Sequence, residues 1–433
     1  MEASRSYLFV TWEGGGNVPP VLGLARRLVG RGHAVRVLTE PCLREAVGQA
    51  GARFLPFTRH FTREDRVEDL MGDAAARTPV GALRRTFERV VFGPARIVAE
   101  EARRAMDEER PDVVVVDALM PGALVAAEAA GLPRVVLFHM PEYLPGPGRP
   151  AAGPGFLPRE DVLGRLRDRL FVGLFYAALK GSLRAYNDAR RACGLPPLAT
   201  PEDLVGEYHR ADLRLIQTSE AFDFPITPAP PNVRYVGPVL DEPDWAGTWE
   251  DPWGERDPRP LVVASFSTTF QNQRDALRRV AAALGTLDVR GLITLGPVMA
   301  GERLELPGNV VAVASAPHGA VFPRASAVVT HAGHGTVMRA LAHGLPLLCL
   351  PMGRDQDDNA ARVVARGAGL RRKPSASPSA IAAAVRHLLD DPRYRTSAQR
   401  LARILAEEGM ADRAVRELEA AGRGATLPAI YSK

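Results

Sequence analysis

From its N-terminus the chain alternates short apolar runs with longer stretches in which apolar positions recur every three or four residues. Tyr7–Thr11, Ala34–Thr39 and Arg53–Phe57 have the first pattern and predict strands, whereas Val18–Val29 predicts an amphipathic helix stopping near Gly30 and Gly32. A short helix is expected over Leu43–Gln49, and a long one over Val80–Glu109 after a charged passage, Thr58–Thr78, that reads as a surface loop. Asp112–Val116, four valines behind an aspartate, is too short and too β-branched for a helix. It predicts a buried parallel strand ending at Asp117, and Arg134–Phe138 repeats the pattern and ends at His139. A helix over Arg165–Arg191 and a last strand at Leu213–Thr218 complete this half.

The alternation then restarts. Leu261–Phe266, Gly291–Leu295, Val310–Val313, Ala327–Thr330 and Leu345–Leu350 predict strands; Asp275–Leu284, Thr336–His343 and Asp357–Arg366 predict helices. Between the halves, Tyr235–Pro260 carries Pro238, Pro243, Pro252, Pro258 and Pro260 among Trp245, Trp249 and Trp253, the composition of a linker. The expected fold is α/β: two doubly wound parallel sheets facing a cleft. Met140–Pro158, rich in proline and glycine, is a loop of the kind that lines sites. Met410–Ala421 closes the pattern with a helix.

Composition removes several classes. With 433 residues, 46% hydrophobic and 24% charged, the chain buries a large core and is not disordered. The formal charge of +5 is a thin excess of 55 basic over 50 acidic residues spread along the chain, so no nucleic-acid partner is expected. Cys42, Cys193 and Cys349 are far apart and form no paired motif, which points to a reducing compartment and to neither a disulfide framework nor a zinc knuckle. The N-terminal apolar run is too short for a signal peptide, and no segment approaches the roughly 18–20 apolar residues that span a bilayer. A cytoplasmic protein without stable membrane insertion is expected.

Ligands of open parallel sheets bind beyond the carboxyl ends of the strands. That rule selects Glu13–Asn17, Asp117 and His139 in the first half. In the second it selects Ser267–Phe270, Pro317–His318, His331–Thr336 and Gly353–Asp358. At Thr330–Thr336 a strand passes directly into a helix through Gly333 and Gly335, so open N–H groups and the positive helix end suit a phosphate. Ser265–Thr269 is a second hydroxyl-rich turn, and two such turns suit a diphosphate. Asp355-Gln356 offers acceptors and donors to neighbouring hydroxyls, as a sugar needs; an ordinary helix start is the plain alternative.

The block Thr330–Val363, together with Thr11–Val35 and Tyr235–Leu240, resembles the two-domain GT-B glycosyltransferases, in the branch that glycosylates antibiotics and other natural products. The resemblance implies an N-terminal acceptor-binding domain over residues 1–234, a linker over 235–260, a nucleotide-sugar domain over 261–408 and a C-terminal helix, 409–433, returning to the first domain. It implies that His331, Gly333, Gly335 and Thr336 bind the donor diphosphate with Thr268, that Asp355 and Gln356 hold the sugar, and that His318 lies near the nucleobase. Relatives often carry Glu eight residues after the first His of the turn to receive ribose hydroxyls; Arg339 stands there, so a dTDP-sugar is expected ahead of a UDP-sugar. Neither cofactor nor metal is implied.

The implied reaction is transfer of a sugar, a deoxysugar by this resemblance, to a hydrophobic natural-product aglycone with inversion at the anomeric carbon. Relatives often place a His in the first loop as base, paired with an Asp after a later strand. Here the loop reads Glu13-Gly14-Gly15-Gly16-Asn17, while Asp117 matches the partner. The expected order of bases is Asp117, then Glu13, then His139. Tyr143, Phe156, Phe171, Phe175 and Tyr176 suit a hydrophobic pocket for an aglycone, with core packing at helical spacing as the plain alternative. Two alternatives stand at this point: a nucleotide-sugar epimerase, and a catalytically silent donor-binding homologue. The acceptor, the bond type (O, N or C) and assembly as a homodimer stay open.

Overall fold

The β-branched runs become strands buried on both faces. In the computed structural model, which describes residues 4–65, 70–76, 78–243, 246–254, 257–266, 271, 273–296, 299 and 304–422, the first sheet contains β1 (Ser6–Val10), β2 (Ala34–Thr39), β3 (Arg53–Pro56), β4 (Val113–Asp117), β5 (Arg134–Phe138), β6 (Leu213–Ile216) and β7 (Val233–Tyr235). Its order is β3-β2-β1-β4-β5-β6-β7, with parallel pairing. The second contains β8 (Leu261–Ser265), β9 (Arg290–Thr294), β10 (Val310–Val313), β11 (Ala325–Thr330), β12 (Leu347–Cys349) and β13 (Gly369–Arg371), again parallel, in the order β10-β9-β8-β11-β12-β13. Thr268, with the rest of the turn 267–270, and Trp245 lie outside the described residues.

Helices cover both faces of each sheet, which is why these strands read as continuous apolar runs. On the first sheet they are α1 (Val18–Gly30), α2 (Arg44–Gln49), α3 (Pro79–Thr86), α4 (Ala95–Glu108), α5 (Gly122–Ala129), α6 (Val162–Leu179), α7 (Ser182–Ala192) and α8 (Pro201–His209). The second half adds α9 (Arg274–Leu284), α10 (His318–Val321), α11 (His334–Ala342), α12 (Gln356–Ala365), α13 (Pro378–Asp390), α14 (Pro392–Met410) and α15 (Arg413–Ala421). Ala414, Val415 and Leu418 of α15 share a core with Leu24 and Leu28 of α1, so the chain crosses back onto the first sheet. Cys349 is fully buried, and burial pushes its thiol up to about 12.

Three expectations change. Val80–Glu109 is not one helix: a wider turn at Phe87–Val91 and then Gly93-Pro94 separate α3 from α4. Pro94 offers no N–H, and a side chain at Gly93 would put its Cβ 1.7 Å from the Glu88 carbonyl oxygen. Arg165–Arg191 divides at Lys180-Gly181, its first part starting earlier at Asp161, which caps Gly164 N–H at 2.7 Å. The strand ending at Ile216 is not the last of its sheet, because β7 adds to the edge. Among the described residues no helix is long and apolar enough to cross a membrane.

Strand order reverses direction between β1 and β4 and between β8 and β11. Loops leaving those strands diverge, opening a crevice at each switch point.

Candidate active site

At the first switch point the loop after β1 meets the end of β4. Asn17 donates from Nδ2 to Asp117 Oδ2 at 2.8 Å, and Thr11 Oγ1 donates to the same oxygen at 3.0 Å. The other carboxylate oxygen accepts the Leu119 N–H at 3.0 Å and lies 3.8 Å from Nδ1 of His139, the residue following β5. Asp117 is thus a fully buried, oriented carboxylate that does not itself line the cleft; Asn17 and His139 do. His139 Nδ1 is buried without a hydrogen-bond partner. Glu13 does not line the cleft either: its carboxylate turns back to accept the Gly15 N–H at 2.6 Å. Its own N–H donates to Glu40, a carboxylate gripped by Arg63 at 2.6 and 2.9 Å. The expected order of bases is therefore altered by geometry, because the two carboxylates ranked first are turned away from the cleft.

At the second switch point α11 begins with Gly333 in extended conformation and with no side-chain cap. The first N–H groups of a helix have no acceptor within it, so those of His334, Gly335 and Thr336 are available to an anion. Ala332 reaches this turn with a φ of 71°, and a Cβ on Gly333 would fall 2.5 Å from His331 Nε2. His331 donates a ring N–H to the Ser265 main chain, and burial lowers its pKa to about 4, leaving a neutral ring beside the turn. His334 points elsewhere: its Nε2 lies 3.0 Å from Thr218 Oγ1 and its ring also bonds the main chain of His139, joining the two halves. His318 stacks on Phe322 at 4.3 Å and lies 3.1 Å from Ser265 Oγ.

Asp355 and Gln356 stand at the start of α12, one wall away from this turn. Asn359, one helical turn on, donates to Asp355 Oδ2 at 2.7 Å and to the Ala332 carbonyl at 3.0 Å, tying carboxylate and phosphate turn together. Burial raises the Asp355 pKa. Gln356 is held between the Met352 N–H at 2.8 Å and Gln271 Oε1 at 2.7 Å. Asn359 was missed by motif reading, although its i+4 spacing from Asp355 on one helix face signals the contact.

Both switch points open into one cavity of about 950 Å³. His331, Gly333, Gly335, Thr336, Asp355 and Gln356 line one side; Asn17 and His139 line the other. Beyond them the cavity continues into an apolar chamber formed by Met71, Leu83, Phe87, Val91, Leu119, Tyr143, Phe156, Phe171, Leu174 and Phe175. Tyr176 is not among the lining residues and packs on Phe175. Arg354, with a φ of 58°, reaches across to Asp73 in a two-pronged ion pair at 2.8 and 2.9 Å, while Asp358 receives the Gly153 and Gly155 N–H groups at 2.6 and 2.8 Å. Neither cross-cleft contact is visible in local sequence.

Residues 278–421 match the family described as erythromycin biosynthesis protein CIII-like, C-terminal domain. The 4'-demethylrebeccamycin synthase of Lentzea aerocolonigenes is 32% identical over 410 residues, spanning 91% of this chain and 94% of that protein. Among solved structures, the glycotransferase of kitacinnamycin superposes with a TM-score of 0.73 at 24% identity, covering 96% and 99% of the two chains. The glycosyltransferase VinC, solved in complex with dTDP, gives 0.67 at 20% identity, covering 96% and 99%. The likeness extends across both sheets and both switch points. Placed by its relatives and its fold, the chain belongs to the GT-B glycosyltransferases of the antibiotic and natural-product branch, enzymes that draw on nucleotide-sugars.

Proposed function

We propose that this enzyme transfers a sugar from a dTDP-sugar, with UDP-sugars second, to a hydrophobic aglycone seated in the apolar chamber, with inversion and with His139 as the base. The observation that carries this reading is the His139 imidazole, which lines the cavity with Nδ1 3.8 Å from the oriented Asp117 carboxylate. The first half, through residue 234, holds the acceptor, and residues 261–408 hold the donor.

His139 takes the proton of the acceptor group as that group attacks the anomeric carbon, and the bond from that carbon to the diphosphate oxygen breaks. Asp117 stabilises the imidazolium that forms, as a carboxylate behind an imidazole does. Negative charge grows on the leaving diphosphate, where the open amides of α11 and the Thr336 hydroxyl lie ready to receive it, beside the His331 ring. These uncharged groups hold the diphosphate through hydrogen bonds and the positive helix end rather than through a metal. Asp355 and Gln356 hold the sugar hydroxyls, and Asn359 fixes Asp355. Arg339, eight residues after His331, leaves α11 without a carboxylate for a 2′-hydroxyl, which supports dTDP over UDP, as does the dTDP bound by VinC.

His139→Gln tests the assignment. The expected result is a fall in kcat on the order of 10²–10⁴-fold with the dTDP dissociation constant unchanged. Near-normal turnover would remove His139 from the role of base.

A further inference from the structure

Beside the phosphate turn the cavity has a corner that the motif leaves unassigned. Its walls are Gly335, Thr336 and Arg339 of α11, His318 at the start of α10, and Glu242 with Pro243 from the segment joining the two sheets. Arg339 is the hub. A Cβ on Gly335 would lie 3.0 Å from its Nη1, so the guanidinium flanks the anion-binding turn, while its Nη2 donates to the Asp241 main-chain carbonyl. Its Nε is buried with no hydrogen-bond partner. This anchor holds the next residue, Glu242, at the mouth of the corner. Glu242 Oε1 accepts the Gly319 N–H at 2.6 Å, and no hydrogen bond engages Oε2 among the described residues.

The occupant follows from chemistry and position. A group next to a diphosphate turn, faced by one carboxylate oxygen with accepting capacity and by a guanidinium, matches a sugar ring bearing hydroxyl groups: a carboxylate receives a pentose hydroxyl, and a guanidinium tolerates the adjoining phosphate oxygens. Arg339 alone, a pure donor, cannot receive a hydroxyl proton. We propose that Glu242, a residue of the connecting segment, is the hydroxyl acceptor for the pentose of the donor nucleotide, with Arg339 as its positioning residue. The assignment rests on the donor reading above and deepens it, because it makes the connecting segment part of donor recognition. A deoxyribonucleotide retains the 3′-hydroxyl that Glu242 would receive.

The test removes the hydroxyl from the ligand and the carboxylate from the protein in turn. Calorimetric titration of the full chain with dTDP and with 2′,3′-dideoxythymidine diphosphate is expected to show about tenfold tighter binding of dTDP. In Glu242→Ala that ratio collapses to within twofold of one, and in Glu242→Gln, whose oxygen keeps the contact to Gly319 and whose NH2 can only donate to the hydroxyl oxygen, it takes an intermediate value. Unfolding midpoints of both variants establish that the chain is folded. A ratio near one in the wild type, or a tenfold ratio surviving in Glu242→Ala, overturns the pentose assignment. Failure of the wild type to bind dTDP at all overturns the donor reading itself.

Discussion

Asn17 holds Asp117. Its Nδ2 donates at 2.8 Å to Asp117 Oδ2, and its Oδ1 accepts the Gly14 N–H at 3.1 Å, so one amide both closes the first loop and fixes a carboxylate 100 positions later in the chain. Asn17 cannot accept a proton in turn, and the imidazole within ion-pair distance of Asp117 is instead that of His139. A carboxylate–imidazole pair is thus assembled with the ring coming from the end of β5.

Asn17→Ala should loosen this arrangement without emptying the site. Losing a buried amide with partners on both its atoms costs about 1–3 kcal/mol of stability. Turnover is expected to fall roughly tenfold at unchanged dTDP affinity, as supporting partners of catalytic groups generally do. Kinetics and nucleotide titration on the same preparation check both halves; an effect on nucleotide affinity alone would be inconsistent with this role.

Gly333→Ala should strike the donor side selectively. The added Cβ meets His331 Nε2 at 2.5 Å, and that buried ring has little room to retreat. Affinity for dTDP is expected to drop about tenfold or more while the fold persists, because Gly333 has an ordinary φ of −61°. Unchanged affinity would remove His331 from the diphosphate site.

Filling the apolar chamber should act on the acceptor. Leu119→Trp puts a bulky ring where Leu119 now lines the chamber, and it should raise acceptor KM severalfold with dTDP binding unaltered. Equal effects on both substrates would place the acceptor elsewhere.

Acid should unfold the protein partly through His334. Burial lowers its pKa from 6.5 to about 3, so the folded chain keeps this ring neutral while the unfolded chain protonates it below about pH 6.5. The unfolded state then binds more protons, and stability, full above pH 6.5, is lost as pH falls towards 3. The ceiling is about 1.4 kcal/mol per pH unit for one such group. Between pH 7 and pH 5 the thermal midpoint should fall less in His334→Gln than in the wild type; parallel slopes would contradict the account.

The legible parts of this molecule were those encoded locally. Four valines at 113–116, or a Gly-x-Gly turn after an apolar run, carry their structure within a few residues, whereas the two switch points depend on the order in which distant strands pair. The break at Gly93-Pro94 was hidden because apolar spacing continues through it, with Val90 and Val91 buried ahead of the break and Val98 beyond it. The short strand Val233–Tyr235 has only three residues in a proline-rich setting, too few for a periodic signal, and is completed by pairing with β6. The same limit applied to the site. His331–Thr336 and Asp355-Gln356 could be read as motifs, whereas the orientation of Asp117 depends on Thr11 and Asn17 across the sheet, and the inward turn of Glu13 depends on the loop's own amide at Gly15. Arg354 and Asp73 meet only because the sheets face each other.

The central claim is that the donor's diphosphate lies on the open amides at the start of α11, facing His139 across a single cavity. Crystals grown with dTDP test it most directly. The account predicts two phosphate groups within hydrogen-bond reach of the Gly335 and Thr336 amides, the outer one directed towards Asp355 and His139. Nucleotide density elsewhere, with that turn empty, would contradict it.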